Sequence, residues 1–304
     1  MQRFSRSIVW AVSVCAVSAC GLAFCAPEAQ GAQSAFNYVG VSNDNSTTNN
    51  GKWADFVDTG NGSGLPEETE FAESFTGTDQ SGSSRTMSFS GQLQSWSQWG
   101  VLKTSVNASV DNAFYNDEAN APYYDVNTSQ INTAGVPDIF NAEATAAFSE
   151  RLMYGGTATN YTSRYYFRLT GSIGGDGTYT HVLVRHGTNT TERYFFSNDG
   201  DYDQIIATST YVNSGNEFFS VTIQSGFLAG IDYVEDGDSL SGFANFGNTL
   251  ELIAVEARDD TGALLPEGSV VGEQSGMSYV VAPEPGSLAL MAMAGLMALR
   301  RRRR

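Results

Sequence analysis

The sequence predicts an all-β body, an antiparallel β-sandwich of jelly-roll type, flanked by an N-terminal signal helix and a short C-terminal transmembrane helix. Three observations predict the body. Apolar and polar residues alternate with period two over long stretches, clusters of Gly, Asn and Asp punctuate them, and no long amphipathic helix is visible. An alternating strand keeps one face in water and one on a core. Roughly eight to ten such strands close most simply into two stacked antiparallel sheets. A parallel α/β sheet would need crossover helices, and the pattern offers none.

In chain order, residues 1–32 read as a signal peptide. Arg3 and Arg6 form a basic start, Ile8 to Phe24 is an uncharged and mostly apolar run, and Ala26, Ala29, Gly31 and Ala32 suit a cleavage site. A retained membrane helix is the alternative; Ser13, Ser18 and the small-residue exit favour cleavage. Val17-Ser18-Ala19-Cys20-Gly21 also resembles a lipobox, with Cys20 as the acylated residue. Residues 33–85 are the Asn/Ser/Gly-rich N-terminal part of the body. Within it, residues 42–64 have the composition of turns and loops.

Residues 86–282 form the predicted sandwich. Leu102, Thr104, Val106, Ala108 and Val110 alternate with Lys103, Ser105, Asn107 and Ser109. Tyr165, Phe167, Leu169 and Ile173 alternate in the same way. Gly174-Gly175-Asp176-Gly177 then predicts the turn of a hairpin leading into Tyr179 to Arg185. Phe219, Val221 and Ile223 mark another strand, Leu250 to Ala257 a further one, and 192–196, 205–212 and 277–281 shorter ones. Residues 139–152 fit a helix by their alanines and a strand by their surroundings.

The last 22 residues, 283–304, are built differently. Pro283-Glu284-Pro285 holds an extended backbone, because each ring fixes φ and keeps its predecessor out of the α region. Pro285 can open a helix that runs to Leu299, about 22 Å at 1.5 Å per residue and short for a membrane span. Arg300, Arg301, Arg302, Arg303 and Arg304 close the chain and should stay cytoplasmic, which puts the body on the far side. Arg3 and Arg6 require the same orientation.

Motif, short Gly/Ala/Leu/Met helix and arginine block, in that order, resemble the PEP-CTERM sorting signal of bacterial envelope and secreted proteins. An ordinary C-terminal anchor with basic stop-transfer residues is the alternative, and it too leaves the body outside. The resemblance implies an exosortase-like processing enzyme as partner, acting near Pro283, Glu284 and Pro285. It also implies export across the inner membrane, a transient membrane anchor and a host that makes exopolysaccharide. Trp99-Gly100-Val101-Leu102-Lys103 and Gly247-Asn248-Thr249-Leu250-Glu251-Leu252 are similar to stretches of secreted proteins carrying that tail; they imply no activity.

Charge and cysteine narrow the functions open to the body. The chain has 304 residues, with 33 acidic and 16 basic. Without the two termini, nine basic residues face thirty-one acidic ones. Such a body repels phosphate backbones, so nucleic acid is excluded as a partner. Cys15, Cys20 and Cys25 all lie in the signal region, which removes thiol catalysis, thiolate-bound metals and disulfides from the body.

No nucleophile elbow, dinucleotide loop or P-loop occurs. His181 and His186 are five apart, so on one strand they face opposite ways and cannot share a metal; both read as solvent-edge strand residues. The protein is therefore expected not to be an enzyme and to need no cofactor. Asp199, Asp201 and Asp203 have the spacing of a calcium turn, although Gln204 and Thr210 depart from the EF-hand pattern. Solvated surface turns on an acidic protein are the favoured reading of these residues and of Glu235-Asp236-Gly237-Asp238. Trp96, Trp99, Tyr123 and Tyr124 are candidates for stacking on sugar rings, which makes a carbohydrate-binding module the alternative reading of the body.

Overall fold

The computed structural model describes residues 32–42, 58–59, 66–78, 84–112, 124–125, 130–131, 139–187, 190–213, 218–230 and 239–279. The predicted signal segment through residue 31, the tail from residue 280, the acidic turn 235–238 and Tyr123 lie outside them. The described residues hold strands and no helix.

In chain order the strands are β1 (Ala32–Ser42), β2 (Asp58–Thr59), β3 (Glu67–Thr78), β4 (Ser84–Gln98), β5 (Val101–Asn112) and β6 (Tyr124–Asp125). Next come β7 (Gln130–Ile131), β8 (Ile139–Tyr154), β9 (Tyr161–Gly175), β10 (Thr178–His186), β11 (Thr190–Phe196) and β12 (Gly200–Ala207). The last are β13 (Tyr211–Asn213), β14 (Phe218–Gly230), β15 (Ser239–Arg258), β16 (Val270–Gly272) and β17 (Ser278–Tyr279). The first sheet runs β11-β10-β14-β8-β1-β2, with β16 also on β8 and β17 on β16. The second runs β12-β9-β15-β5-β4-β3, with β13 also on β9. β6 and β7 pair with each other alone. All these pairings are antiparallel.

The alternation read from sequence sets which face is buried. Leu102, Val106 and Val110 of β5 are wholly buried, as are Phe167 and Leu169 of β9 and Val221 and Ile223 of β14. Rings from opposite sheets meet in this core. Phe89 stacks on Phe140 at 4.7 Å, and Tyr165 on Phe219 at 4.8 Å. Each such side chain contributes about 1.5–3 kcal/mol through burial, enough to fix strand register, because a one-residue slip would turn the whole set to solvent. β1 and β3, from the Asn/Ser/Gly-rich part, add strands to these same two sheets.

Two local readings are settled or corrected. Residues 139–152 are strand: Ala142, Ala144 and Ala146 point inward on β8 and are wholly buried. Small side chains suit the middle of a sheet pressed against another, and that tertiary demand overrides alanine's helix propensity. The turn at Gly174–Gly177 does not close a hairpin. β9 lies in the second sheet and β10 in the first, so the chain arches from one sheet to the other. Gly175 and Gly177 take φ of 85° and 74°, and an added Cβ would meet backbone at 2.3 and 2.4 Å. Glycine is required by that crossing, not by a tight pairing turn.

A recurrent device fills glycine gaps in the sheets. Phe71, Tyr179 and Phe243 each lie over the glycine directly across the ladder, Gly91, Gly226 and Gly174 respectively. The ring supplies the burial that glycine lacks, so the pair stabilises a position weak in isolation.

Candidate functional site

The outer face of the second sheet carries the candidate site. The alternation that buries Leu93 and Val106 turns Gln92, Gln94 and Trp96 of β4, and Lys103, Ser105 and Asn107 of β5, outward. Cross-strand register aligns them into rows. Glu70, Gln92, Asn107 and Phe243 form one row, and Glu68, Gln94, Ser105 and Asn245 the next. Between them is a shallow trough of about 230 Å³, lined by amides, a hydroxyl and the Phe243 ring.

Contacts along the rim orient these amides. Gln92 donates Nε2–H to Glu70 Oε1 at 2.8 Å, and Gln94 donates to Glu68 Oε1 at 3.3 Å. Asn245 Oδ1 accepts the backbone N–H of Gly247 at 3.0 Å. Beyond these rows on the same face, Lys103 Nζ lies 4.9 Å above the Trp96 ring, a cation–π contact. β15 is irregular there: its register on β5 jumps between Phe246 and Leu250, and Thr249 has φ of 143°. A β-branched residue in that region is strained, and bulges of this kind re-aim side chains at the margins of sites.

Of the aromatic candidates, Trp96 lies on this face. Trp99 turns the corner between β4 and β5 and packs edge-on against Phe148, centroids 6.2 Å apart, at the margin of the main core. Tyr124 belongs to the separate β6–β7 ladder. Phe243, 43% exposed, was missed by the sequence reading. Its neighbours Ala244 and Phe246 are inward, and the cross-strand Gly174 that it covers is far away in sequence, so no local pattern marks it.

The acidic candidates lie on the same sheet, near its other edge. Asp199 precedes β12, while Asp201 and Asp203 lie on it, exposed and two residues apart. A calcium turn curls its oxygens around one point, whereas an extended strand sets alternate residues roughly 7 Å apart. Asp203 instead takes Arg168 in a two-pronged pair, Nε to Oδ1 at 2.9 Å and Nη2 to Oδ2 at 3.0 Å. Those hydrogen bonds hold its carboxyl below the usual range. Among the described residues no three His, Cys, Asp or Glu side chains are placed to hold a metal ion.

The histidines face opposite ways, as their spacing requires, but neither is at a sheet edge. β10 lies between β11 and β14. His186 is buried in the core, its Nδ1 3.1 Å from Tyr165 Oη and its ring stacked on Tyr211 at 4.6 Å. His181 points to the outer face, parallel to Tyr179 with centroids 6.5 Å apart. Burial first, and Arg193 second, push its value down from 6.5 to about 4.

Two carboxylates tie elements together. Glu192 of β11 accepts from Tyr211 Oη at 2.6 Å, Tyr194 Oη at 2.5 Å and the Ser209 amide, and so joins an edge strand of the first sheet to the second. Glu150, wholly buried on β8, accepts from Tyr279 Oη and from the Ser275 amide at 2.8 Å. The chain matches no family model and no curated protein.

Proposed function

We propose that this is an exported, non-catalytic protein of the cell envelope or extracellular matrix, sorted through its C-terminal tail by an exosortase-like enzyme. The observation that carries the reading is the order of parts in that tail: Pro283-Glu284-Pro285, a short apolar stretch and Arg300–Arg304. The leader supports the same direction of travel. Arg3 and Arg6 stay behind with the terminal arginines while the anionic body crosses.

The end of the body suits such handling. Tyr279, the last described residue, is held by Glu150, and Pro283 follows four residues later. That spacer reaches at most about 14 Å, so the processing enzyme works close beside a folded surface. The short helix serves retention before processing and the arginines serve topology. Exopolysaccharide outside the cell is the expected environment, and nucleic acid is not a partner. The insertion of β14 between β8 and β10, with β9 and β15 paired in the opposite sheet, supports a jelly-roll-like winding of the body.

Intact-mass measurement of the exported protein from its native host tests this reading. The expected mass lacks the leader and everything beyond the Pro-Glu-Pro segment. A mature chain that keeps Arg300–Arg304 would overturn it.

A further inference from the structure

We propose that the outer face of the second sheet binds a neutral polysaccharide in the trough beside Phe243 and onward along β4 toward Trp96. This goes beyond the sorting reading and does not depend on it, since the trough belongs to the folded body.

The separation of the two rings, which exceeds the trough itself, favours a chain over a single small molecule. Phe243 and Gln92 share a row, and Trp96 lies four residues further along β4 and two strands across from Phe243. On ideal sheet spacings the two rings are about 17 Å apart, the length of a short oligosaccharide. Phe243 lines the trough and Trp96 lies beyond it, further along β4, an arrangement that suits an extended sugar chain, because each pyranose has an apolar C–H face and a rim of hydroxyls. Phe243, 43% exposed, offers one surface for the C–H faces, and Trp96 offers the ring face that Lys103 does not cover. Gln92, Gln94, Asn107 and Ser105 offer donors and acceptors for the hydroxyls.

The rim makes the recognition directional. Glu70 and Glu68 each take one amide N–H of Gln92 and Gln94, which fixes the two amide planes before any ligand arrives. Less side-chain freedom is then lost on binding. The same carboxylates decide the charge of the ligand. With Glu68 and Glu70 on the rim and a strongly acidic body behind them, a uronate or sulfated chain is repelled, and the single nearby Lys103 is engaged with Trp96. A neutral chain meets no such penalty, and its binding should hardly respond to salt.

Affinity electrophoresis of the full-length chain tests the proposal, run through gels containing neutral polysaccharides (xylan, glucomannan, galactomannan, a β-glucan) or anionic ones (alginate, hyaluronate). A polyoxyethylene detergent is used, because a sugar-headed one would compete. The proposal expects retardation by at least one neutral polymer, unchanged by added salt. It also expects about tenfold or greater loss of affinity in Trp96→Ala and Asn107→Ala, each of which removes one stacking surface or one hydrogen-bonding amide. Phe195→Ala, on the outer face of the other sheet, should bind as wild type. Asn107 is exposed, so its variant keeps the fold if Trp96→Ala does not. Absence of retardation by every neutral polymer, binding only to the anionic ones, or binding that survives both Trp96→Ala and Asn107→Ala would overturn the proposal. Export and tail processing would be untouched by that failure.

Discussion

Tyr279 gives its hydroxyl to the buried carboxylate of Glu150, 129 residues earlier in the chain, and thereby fastens β17 to the body. The pocket is close-fitting: a Cβ added at Gly272 would lie 2.0 Å from Glu150 Oε1. Burial first, and the Glu150 hydrogen bond second, raise the phenol far above its ordinary 10.0. Tyr279→Phe leaves a buried carboxylate short of one donor. A hydrogen bond to a charged group is worth about 1.5–3 kcal/mol, and the substitution should cost that much in urea unfolding. A variant as stable as the parent would show that the contact carries no net energy.

Gly226 and Tyr179 make a second packing prediction. A Cβ on Gly226 would lie 2.4 Å from Tyr179 Cζ, so Gly226→Ala must push the ring aside. Tyr179 now reaches Glu143 Oε1 at 2.6 Å across that glycine, and burial, then Glu143, hold its phenol well above the normal range. The substitution should cost about 1–3 kcal/mol by overpacking. It should also bring one tyrosine back toward ordinary titration, read from tyrosinate absorbance on raising the pH. Unaltered stability and titration would contradict the account.

His181 sets a pH dependence on the acid side. Its value falls from 6.5 in the unfolded chain to about 4 in the fold. Between those values the unfolded state binds the extra proton, so stability falls as pH drops through this window and that loss ends near the lower value. His181→Gln removes this component. The urea midpoint of the variant should shift less between about pH 7 and about pH 5 than that of the parent. Equal shifts would place the dependence elsewhere.

Glu192 acts at lower pH and by the opposite route. Burial alone would raise its carboxyl, but hydrogen bonds from Tyr194, Tyr211 and Ser209 outweigh it and bring the value below 4.5. Its contribution is therefore present above the unfolded value and lost as pH falls through the lower, folded one. Glu192→Gln should cost about 1 kcal/mol at neutral pH and flatten the acid limb of the stability curve. It should also increase hydrogen exchange at β11, the edge strand it ties to Ser209 and Tyr211. Unchanged exchange would show that β11 is held by its pairing with β10 alone.

Much of the fold was legible because the two-residue period is a local property. Leu102 to Val110 and Tyr165 to Ile173 announce both strand and buried face without reference to partners. Which sheet a strand joins is not local, and Gly174–Gly177 shows the limit: the same glycines serve a hairpin or an arch, and only the partners of β9 and β10 decide. The alanines of β8 left helix and strand both open for a related reason, since their use follows from a facing sheet that the sequence does not display. The candidate site was half legible. Trp96 was visible as a large aromatic near a turn, whereas Phe243 covers a cross-strand glycine, Gly174, that is distant in sequence. The acidic triplet had the spacing of a turn, but Asp201 and Asp203 fell within β12, where pairing with β9 keeps the backbone extended.

Protease treatment of spheroplasts from the native host, with an antibody against the body as readout, tests the central claim most directly. The account predicts that the body is digested without lysis while a cytosolic marker survives. A body protected until the membrane is broken, with its leader still attached, would contradict it.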